Sequence, residues 1–259
     1  MSQENREAAL RRAWAARNGN EMIHLASDAD GTAAPPSLAD RMTIAFSQDG
    51  ALAKSPDFEF RSQQQRMARI VSRALEAGKP VVIEAATGVG KSLAYLLPAV
   101  SFALEQKRKA IICTHTINLQ EQLLHKDLPI VQKIIGREFK AELLKGRANY
   151  VCPQRLERAF QSAQSLFTTS EHAELEMLWE WCQKTTDGTL SGTDFTPSPR
   201  VWSQVCSEPH VCTPRRCGGT PCFYQAARRR MAEADVVILN HTLFFTLLSS
   251  VEDTLPDDA

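Results

Sequence analysis

The stretch Val81-Val82-Ile83-Glu84-Ala85-Ala86-Thr87-Gly88-Val89-Gly90-Lys91-Ser92 constrains this chain more than any other. An apolar run meets a loop of small residues, and Leu93, Leu96 and Leu97 follow at helical spacing, which predicts strand, phosphate loop, helix. A bent loop of small residues can aim successive backbone N–H groups at phosphates, and the next helix adds its positive end. In that reading Thr87, Gly88, Val89 and Gly90 form the cradle. Lys91 meets the β- and γ-phosphates of ATP, and the Ser92 hydroxyl ligates Mg2+. Ala85 stands where the usual pattern has its first glycine, which is tolerable only if that residue avoids positive φ. A plain small-residue turn with a solvated lysine is the alternative, and a strand before with a helix after argues against it.

The rest of the chain arranges itself around this loop. Residues 2–18 have the pattern of a short amphipathic helix, and residues 20–40, rich in Asp, Gly, Ala, Pro and Ser, read as a linker, so residues 1–40 form a leader. A helix opening near Phe58 runs to the stop at Gly78. Gln64 at its start carries both an amide donor and an acceptor, which suits an adenine edge. The helix after the loop contains Pro98, where a kink is expected. Ala110 to Thr114 reads as a second buried strand. At its C-terminal end, Thr114, Thr116 and Asn118 suit a sugar-phosphate backbone, or Thr116 and Asn118 merely cap the helix that follows. A poorly patterned region then interrupts the α/β alternation as an insertion of about seventy-five residues, before the strand at Val236 to Leu239.

The insertion is bounded by cysteines. Cys212, Cys217 and Cys222 recur with four residues between neighbours, among prolines and glycines, and Cys152 at the start of the insertion completes a four-thiolate set. Such a set suits a 4Fe-4S cluster or zinc. The absence of any Cys-x-x-Cys pair favours iron–sulfur. Cys206 and His210 compete for one ligand position, and Cys182 beside Trp181 reads as packing. Arg215 and Arg216 lie between ligands, where positive charge favours thiolates and meets phosphates. Residues 207–230 hold five arginines and one acid. That local patch matters because 30 basic and 30 acidic residues leave no net charge to draw nucleic acid in. A solvated helix face is the bland explanation of Arg228 to Arg230.

An apolar fraction of 43% with 23% charged residues places the chain among ordinary globular proteins. Its longest apolar run, Val236 to Leu248, is broken by Asn240, His241 and Thr242, which excludes a membrane span. The N-terminus lacks a secretory pattern, so a cytoplasmic location is expected, with thiols in place of disulfides.

Taken in order, the glutamine helix, the phosphate loop, the Thr114–Thr116 segment, the cysteine insertion and Asn240-His241-Thr242-Leu243-Phe244 resemble the DinG branch of the XPD-like superfamily 2 helicases. The resemblance runs from about residue 40 to about residue 250. It implies a RecA-like parallel α/β domain over residues 41–146, an iron–sulfur insertion over 147–225, and a return to the first domain over 226–259. It identifies Gln64 with the family's adenine-reading glutamine, Thr87 to Ser92 with helicase motif I, and Thr114 and Thr116 with the single-strand-binding segment. Cys152, Cys212, Cys217 and Cys222 correspond to the cluster ligands. The implied activity is ATP-driven translocation on single-stranded or forked DNA with duplex unwinding, by a monomer. The family also requires an Asp-Glu-x-His motif and a second RecA-like domain, and these 259 residues contain neither. This chain on its own is therefore expected to bind nucleotide weakly and to hydrolyse little; a non-catalytic binding module for nucleotide and single strands is the alternative.

Overall fold

A computed structural model describes residues 35–54, 59–162, 167–209, 211–212 and 221–249. The expected leader helix of residues 2–18 lies outside the described residues, as do Arg215, Arg216 and Cys217.

Helix α1 (Leu38–Ala45) starts at Ser37, whose side chain accepts the N–H of Asp40. Helix α2 (Ser62–Ala77) ends where Gly78 takes a left-handed conformation and its N–H closes the last turn. Helix α3 (Lys91–Gln106) continues through Pro98. Leu96, Leu97 and Val100 of α3 are fully buried, and together with Met42 and Phe46 near α1 and Ala68 of α2 they form the main core. Arg41 ties α1 to α3 through both oxygens of Glu105, at 2.6 and 2.8 Å.

Three strands form a parallel sheet: β1 (Ala110–Thr114), β2 (Ala141–Leu143) and β3 (Val236–Asn240), in the order β1-β3-β2. In register, Ala110 lies beside Val236 and Thr114 beside Asn240 on one side of β3, and Ala141 beside Val236 on the other. The Val-Val-Ile-Leu run of β3 is buried throughout, as a central parallel strand covered on both faces requires. One sequence expectation fails: Val81 to Ile83 is not a buried strand. Val82 is 98% exposed, and the segment pairs with none of the described strands. Apolar, β-branched composition fits a strand but does not make one, because the strand exists only through its ladder.

Between β1 and β2 the chain is almost continuously helical, as α4 (Ile117–Gln122), a π-helical turn (Leu123–Asp127) and α5 (Leu128–Ile135). Beyond β2 come α6 (Pro153–Gln161), α7 (Thr169–Cys182) and α8 (Pro199–Val205). Their apolar faces form a separate core around Leu156, Leu175, Leu178, Val201 and Val205. Helix α7 opens with a reciprocal capping box between Thr168 and Glu171. Helix α9 (Phe223–Glu233) then returns to the sheet, and a third cluster around Tyr150, Tyr224, Met231, Val237 and Leu239 joins the insertion to that face. Helix α10 (His241–Ser249) completes the described chain.

Candidate functional site

The loop before α3 is held from three sides. Gly90 precedes α3 with φ +79°, and a β-carbon there would fall 2.3 Å from the Gln64 amide nitrogen. Gln64 is 4% exposed and donates from Nε2 to the Gly90 carbonyl at 2.9 Å. The glutamine thus sits at the loop, with its amide nitrogen spent on the loop backbone. Arg61, one residue before α2, donates to the Gly88 carbonyl. Lys91 folds over the loop and donates to the carbonyls of Ala85 at 2.9 Å and Ala86 at 3.1 Å. Those two oxygens are weak partners for an ammonium group, and a phosphate would displace them.

Ser92 is the second residue of α3, where its side chain lies near Tyr95 on the same helix and near Asp127 at the end of the π-helical turn. Burial pushes both the Tyr95 phenol and the Asp127 carboxyl above their ordinary values, and the nearby Ser92 hydroxyl opposes that rise. The sequence reading names neither Asp127 nor Arg61. No sequence signal marks a π-helical turn, although the run from Leu119 to Asp127 is the right length to return an acid toward the loop.

At the C-terminal end of the sheet, Thr114 and Asn240 stand side by side. The Thr114 hydroxyl is buried and donates to the Thr116 carbonyl at 3.2 Å, and Thr116 Oγ1 accepts the N–H of Leu119 at 3.3 Å. Thr116 therefore caps α4, while Asn118 is exposed on its first turn. Asn240 Oδ1 likewise accepts the N–H of Leu243 at 2.6 Å. Two helix N-termini thus open on the same edge of the sheet, each with a side-chain cap.

In the insertion, Tyr150 to Cys152 is pinned between two segments. Val151 N–H goes to Gly188, Cys152 N–H to Val205, and the Tyr150 carbonyl accepts from Ser207, at 2.8–2.9 Å. This brings Cys152 and Cys212 together: both are buried, and the Cys152 side chain acts on the Cys212 thiol. Burial by itself would raise the Cys212 thiol. The N–H of Glu208 at 3.3 Å, the Ser207 and Cys152 side chains and the charge of Arg155 outweigh burial, and hold the thiol below its ordinary value. Arg147 adds a donor to the Cys212 carbonyl at 3.1 Å while its guanidinium lies 4.4 Å from the centre of the Tyr224 ring. Cys222 immediately precedes α9 and packs against the third cluster. Cys206 belongs to the apolar core of the insertion, donates its thiol to the Ser203 carbonyl and is raised by burial. Cys182 packs in the same core. Among the described residues no three His, Cys, Asp or Glu side chains converge on one point. The basic face of α9 is partly spent inside the fold, because Arg230 makes a two-pronged pair with Glu142, both distances 3.0 Å. No helix among the described residues is long and apolar enough to cross a membrane.

Residues 61–191 match the family model of the DEAD/DEAH box helicases. The chain is 39% identical over 206 residues to the ATP-dependent DNA helicase YoaA of Escherichia coli K12, an alignment covering 78% of this chain and 32% of that protein. It is 38% identical over 181 residues to the ATP-dependent DNA helicase DinG of Photobacterium profundum, covering 66% and 26%. To the DinG of Escherichia coli K12 it is 32% identical over 219 residues, covering 78% and 30%. The chain spans about a third of the length of these curated relatives or less.

Proposed function

The chain belongs to the DEAD/DEAH box helicase family, with curated relatives among the YoaA and DinG DNA helicases, and from that premise we propose that it is the nucleotide- and DNA-engaging part of an ATP-dependent DNA helicase. The observation that carries the proposal is the loop before α3: Gln64 buried against Gly90, Lys91 folded over the loop, and Ser92 at the start of the helix. In this reading Thr87 to Gly90 cradle the phosphates, Lys91 exchanges two backbone carbonyls for the β- and γ-phosphates, and Ser92 supplies one of the oxygen donors that Mg2+ takes. Gln64 reads the adenine edge with the amide oxygen that the Gly90 contact does not use. Thr114, Thr116 and Asn118 meet the phosphodiester backbone of a single strand at the C-terminal edge of the sheet, with Arg215 and Arg216 extending the positive surface. Forked DNA is the substrate of the whole machine, and the working unit is a monomer.

Four thiolates are assigned to the insertion's inorganic centre: Cys152, Cys212, Cys217 and Cys222. The donor chemistry fits, since Cys152 and Cys212 lie together in a buried setting that favours the Cys212 thiolate. When bound, a 4Fe-4S cluster would cross-link the start and end of the insertion; zinc is the alternative occupant. Anaerobically purified protein is expected to be brown and to contain iron and sulfide, and a colourless protein with zinc alone would exclude the cluster.

The 259 residues include no Asp-Glu-x-His, the acids that in this family position Mg2+ and the attacking water. We therefore expect this polypeptide by itself to bind a nucleotide without turning it over. A fluorescent ATP analogue should bind to the purified chain in Mg2+ and lose that binding in Lys91→Ala. DNA-stimulated ATP hydrolysis by the same 259 residues, abolished by Lys91→Ala, would overturn the non-hydrolysing assignment while leaving the phosphate loop in place.

A further inference from the structure

Lys145 is a buried ammonium group for which the phosphate-loop reading has no use. It is 4% exposed, and its side-chain acceptors come from two separate parts of the fold. Glu121 Oε1 on α4 lies 2.5 Å from Nζ, while Ser191 Oγ and Thr189 Oγ1 on a loop of the insertion lie at 2.5 and 3.4 Å. Ser191 Oγ donates onward to the same Glu121 oxygen at 2.9 Å, so the three groups close a triangle. On its far side the loop is held by the Trp181 indole of α7, which donates to the Gly192 carbonyl at 2.9 Å. A continuous polar path thus runs from α4 to a side chain packed on the insertion's core.

An ammonium group has three donors and no acceptor, and removing a partner from a buried charge is strongly destabilising. Helix α4 and the 187–192 loop therefore cannot part without leaving Lys145 short of acceptors. Glu121 follows Asn118 by three residues on α4, and residues at that spacing share a helix face. The turn assigned to the single strand is thus the neighbour of this joint. We propose that Glu121 and Lys145 are positioning residues of the single-strand site: they lock α4 to the 187–192 loop, so that the strand binds tightly only while the insertion is docked. Such coupling is reciprocal, and a bound strand must in turn hold the loop closed against local opening. The proposal rests on the DNA reading of Thr114, Thr116 and Asn118, and it adds residues that act on the strand through α4.

The test uses the 259-residue chain and a fluorescein-labelled oligo-dT of about 20 nucleotides, at one fixed salt concentration. Hydrogen exchange is followed with and without saturating strand, and affinity is read by anisotropy for wild type, Glu121→Gln, Ser191→Ala, the pair of both, and Asn118→Ala. In wild type the bound strand should slow exchange at the Gly192 and Thr193 amides about tenfold, a size typical of coupled sites. Glu121→Gln should weaken the strand by up to the same factor, Ser191→Ala by less, and the pair by no more than Glu121→Gln alone. Exchange in β3 should match wild type in each variant. Unchanged loop exchange on strand binding, or unchanged affinity in both joint variants while Asn118→Ala loses it, would overturn the joint and leave the DNA reading standing. So would faster exchange in β3, which marks general loosening, or a further loss in the pair. If Glu121→Gln does not fold, Ser191→Ala decides by the same criteria. A wild-type chain that binds no oligo-dT, or binds it equally well as Asn118→Ala, would overturn the DNA reading and this proposal together.

Discussion

Gly90 and Gln64 form a lock at the scale of single residues. The glycine needs its positive φ, and the space a β-carbon would occupy is filled by the Gln64 amide. Gly90→Ala should therefore combine backbone strain of about 1–3 kcal/mol with displacement of Gln64, and calorimetric nucleotide titration should register reduced affinity as well as reduced stability. Gln120 presents the opposite situation: it is fully buried in α4, and neither of its side-chain polar atoms has a hydrogen-bond partner among the described residues. Since an unsatisfied buried polar group costs about 1–3 kcal/mol, Gln120→Leu should raise the urea midpoint by the equivalent of about 1 kcal/mol or more. Of these residues the sequence singles out Gln64, Gly90, Lys91 and Ser92, because the proposed phosphate loop and the helix before it follow a pattern that can be read. It is silent on Gln120 and Asp127, whose significance comes from what surrounds them after folding.

At the scale of elements, the insertion is fastened to the helicase fold by a buried ammonium group. Lys145, two residues beyond β2 and 4% exposed, donates to Glu121 Oε1 at 2.5 Å on α4, to Ser191 Oγ at 2.5 Å and to Thr189 Oγ1 at 3.4 Å. Asp187 closes the same loop by accepting from Thr189 at 2.6 Å and Thr185 at 3.1 Å. Lys145→Ala would leave Glu121 without its buried partner, a change that typically costs about 3–5 kcal/mol for a fully buried pair and less here, where Glu121 is partly exposed. Hydrogen exchange should show the 187–192 loop opening first. Burial alone would raise the carboxyls of Glu121 and Asp187, but bonds from Lys145 and Ser191 to the first and from Thr189 and Thr185 to the second hold both below their ordinary values. Their folded values being depressed, the stabilisation is complete above the ordinary carboxylate range and is lost as pH falls through the lowered values. Acid should thus loosen this loop, observable as faster exchange there below about pH 4. The element expectations hold for α2 and α3, where a helical period can be read, and for the apolar runs of β1 and β3, which pair with each other. They failed at Val81 to Ile83, where composition suggests a strand and the described chain supplies no partner.

The whole molecule has separable cores. Among the described residues, the insertion's core around Leu175, Leu178 and Val201 is joined to the sheet's face by the third cluster at Tyr150 and Tyr224. Leu178→Ala should cost about 2–5 kcal/mol by cavity formation, and the loss should fall on the insertion. Limited proteolysis is expected to cut within residues 153–205 while mant-ATP binding in Mg2+ persists. The alternation of strands and helices, and the interruption between β2 and β3, were legible from sequence. The order β1-β3-β2 was not, because nothing in a local pattern says which of several buried runs takes the central place.

That central place belongs to the last of the three described strands to emerge. On a ribosome, β1 and β2 leave the exit tunnel before the one described strand that pairs with them, and nearly a hundred residues must follow β2 before β3 is made. At about 5–20 residues per second, the unfinished sheet waits for several seconds at least with both flanking strands unpaired. Its closure needs contacts distant in sequence, which slow folding. The nascent chain is thus exposed to aggregation over that interval, and the insertion, whose buried core residues have all emerged by Cys206, has time to fold first.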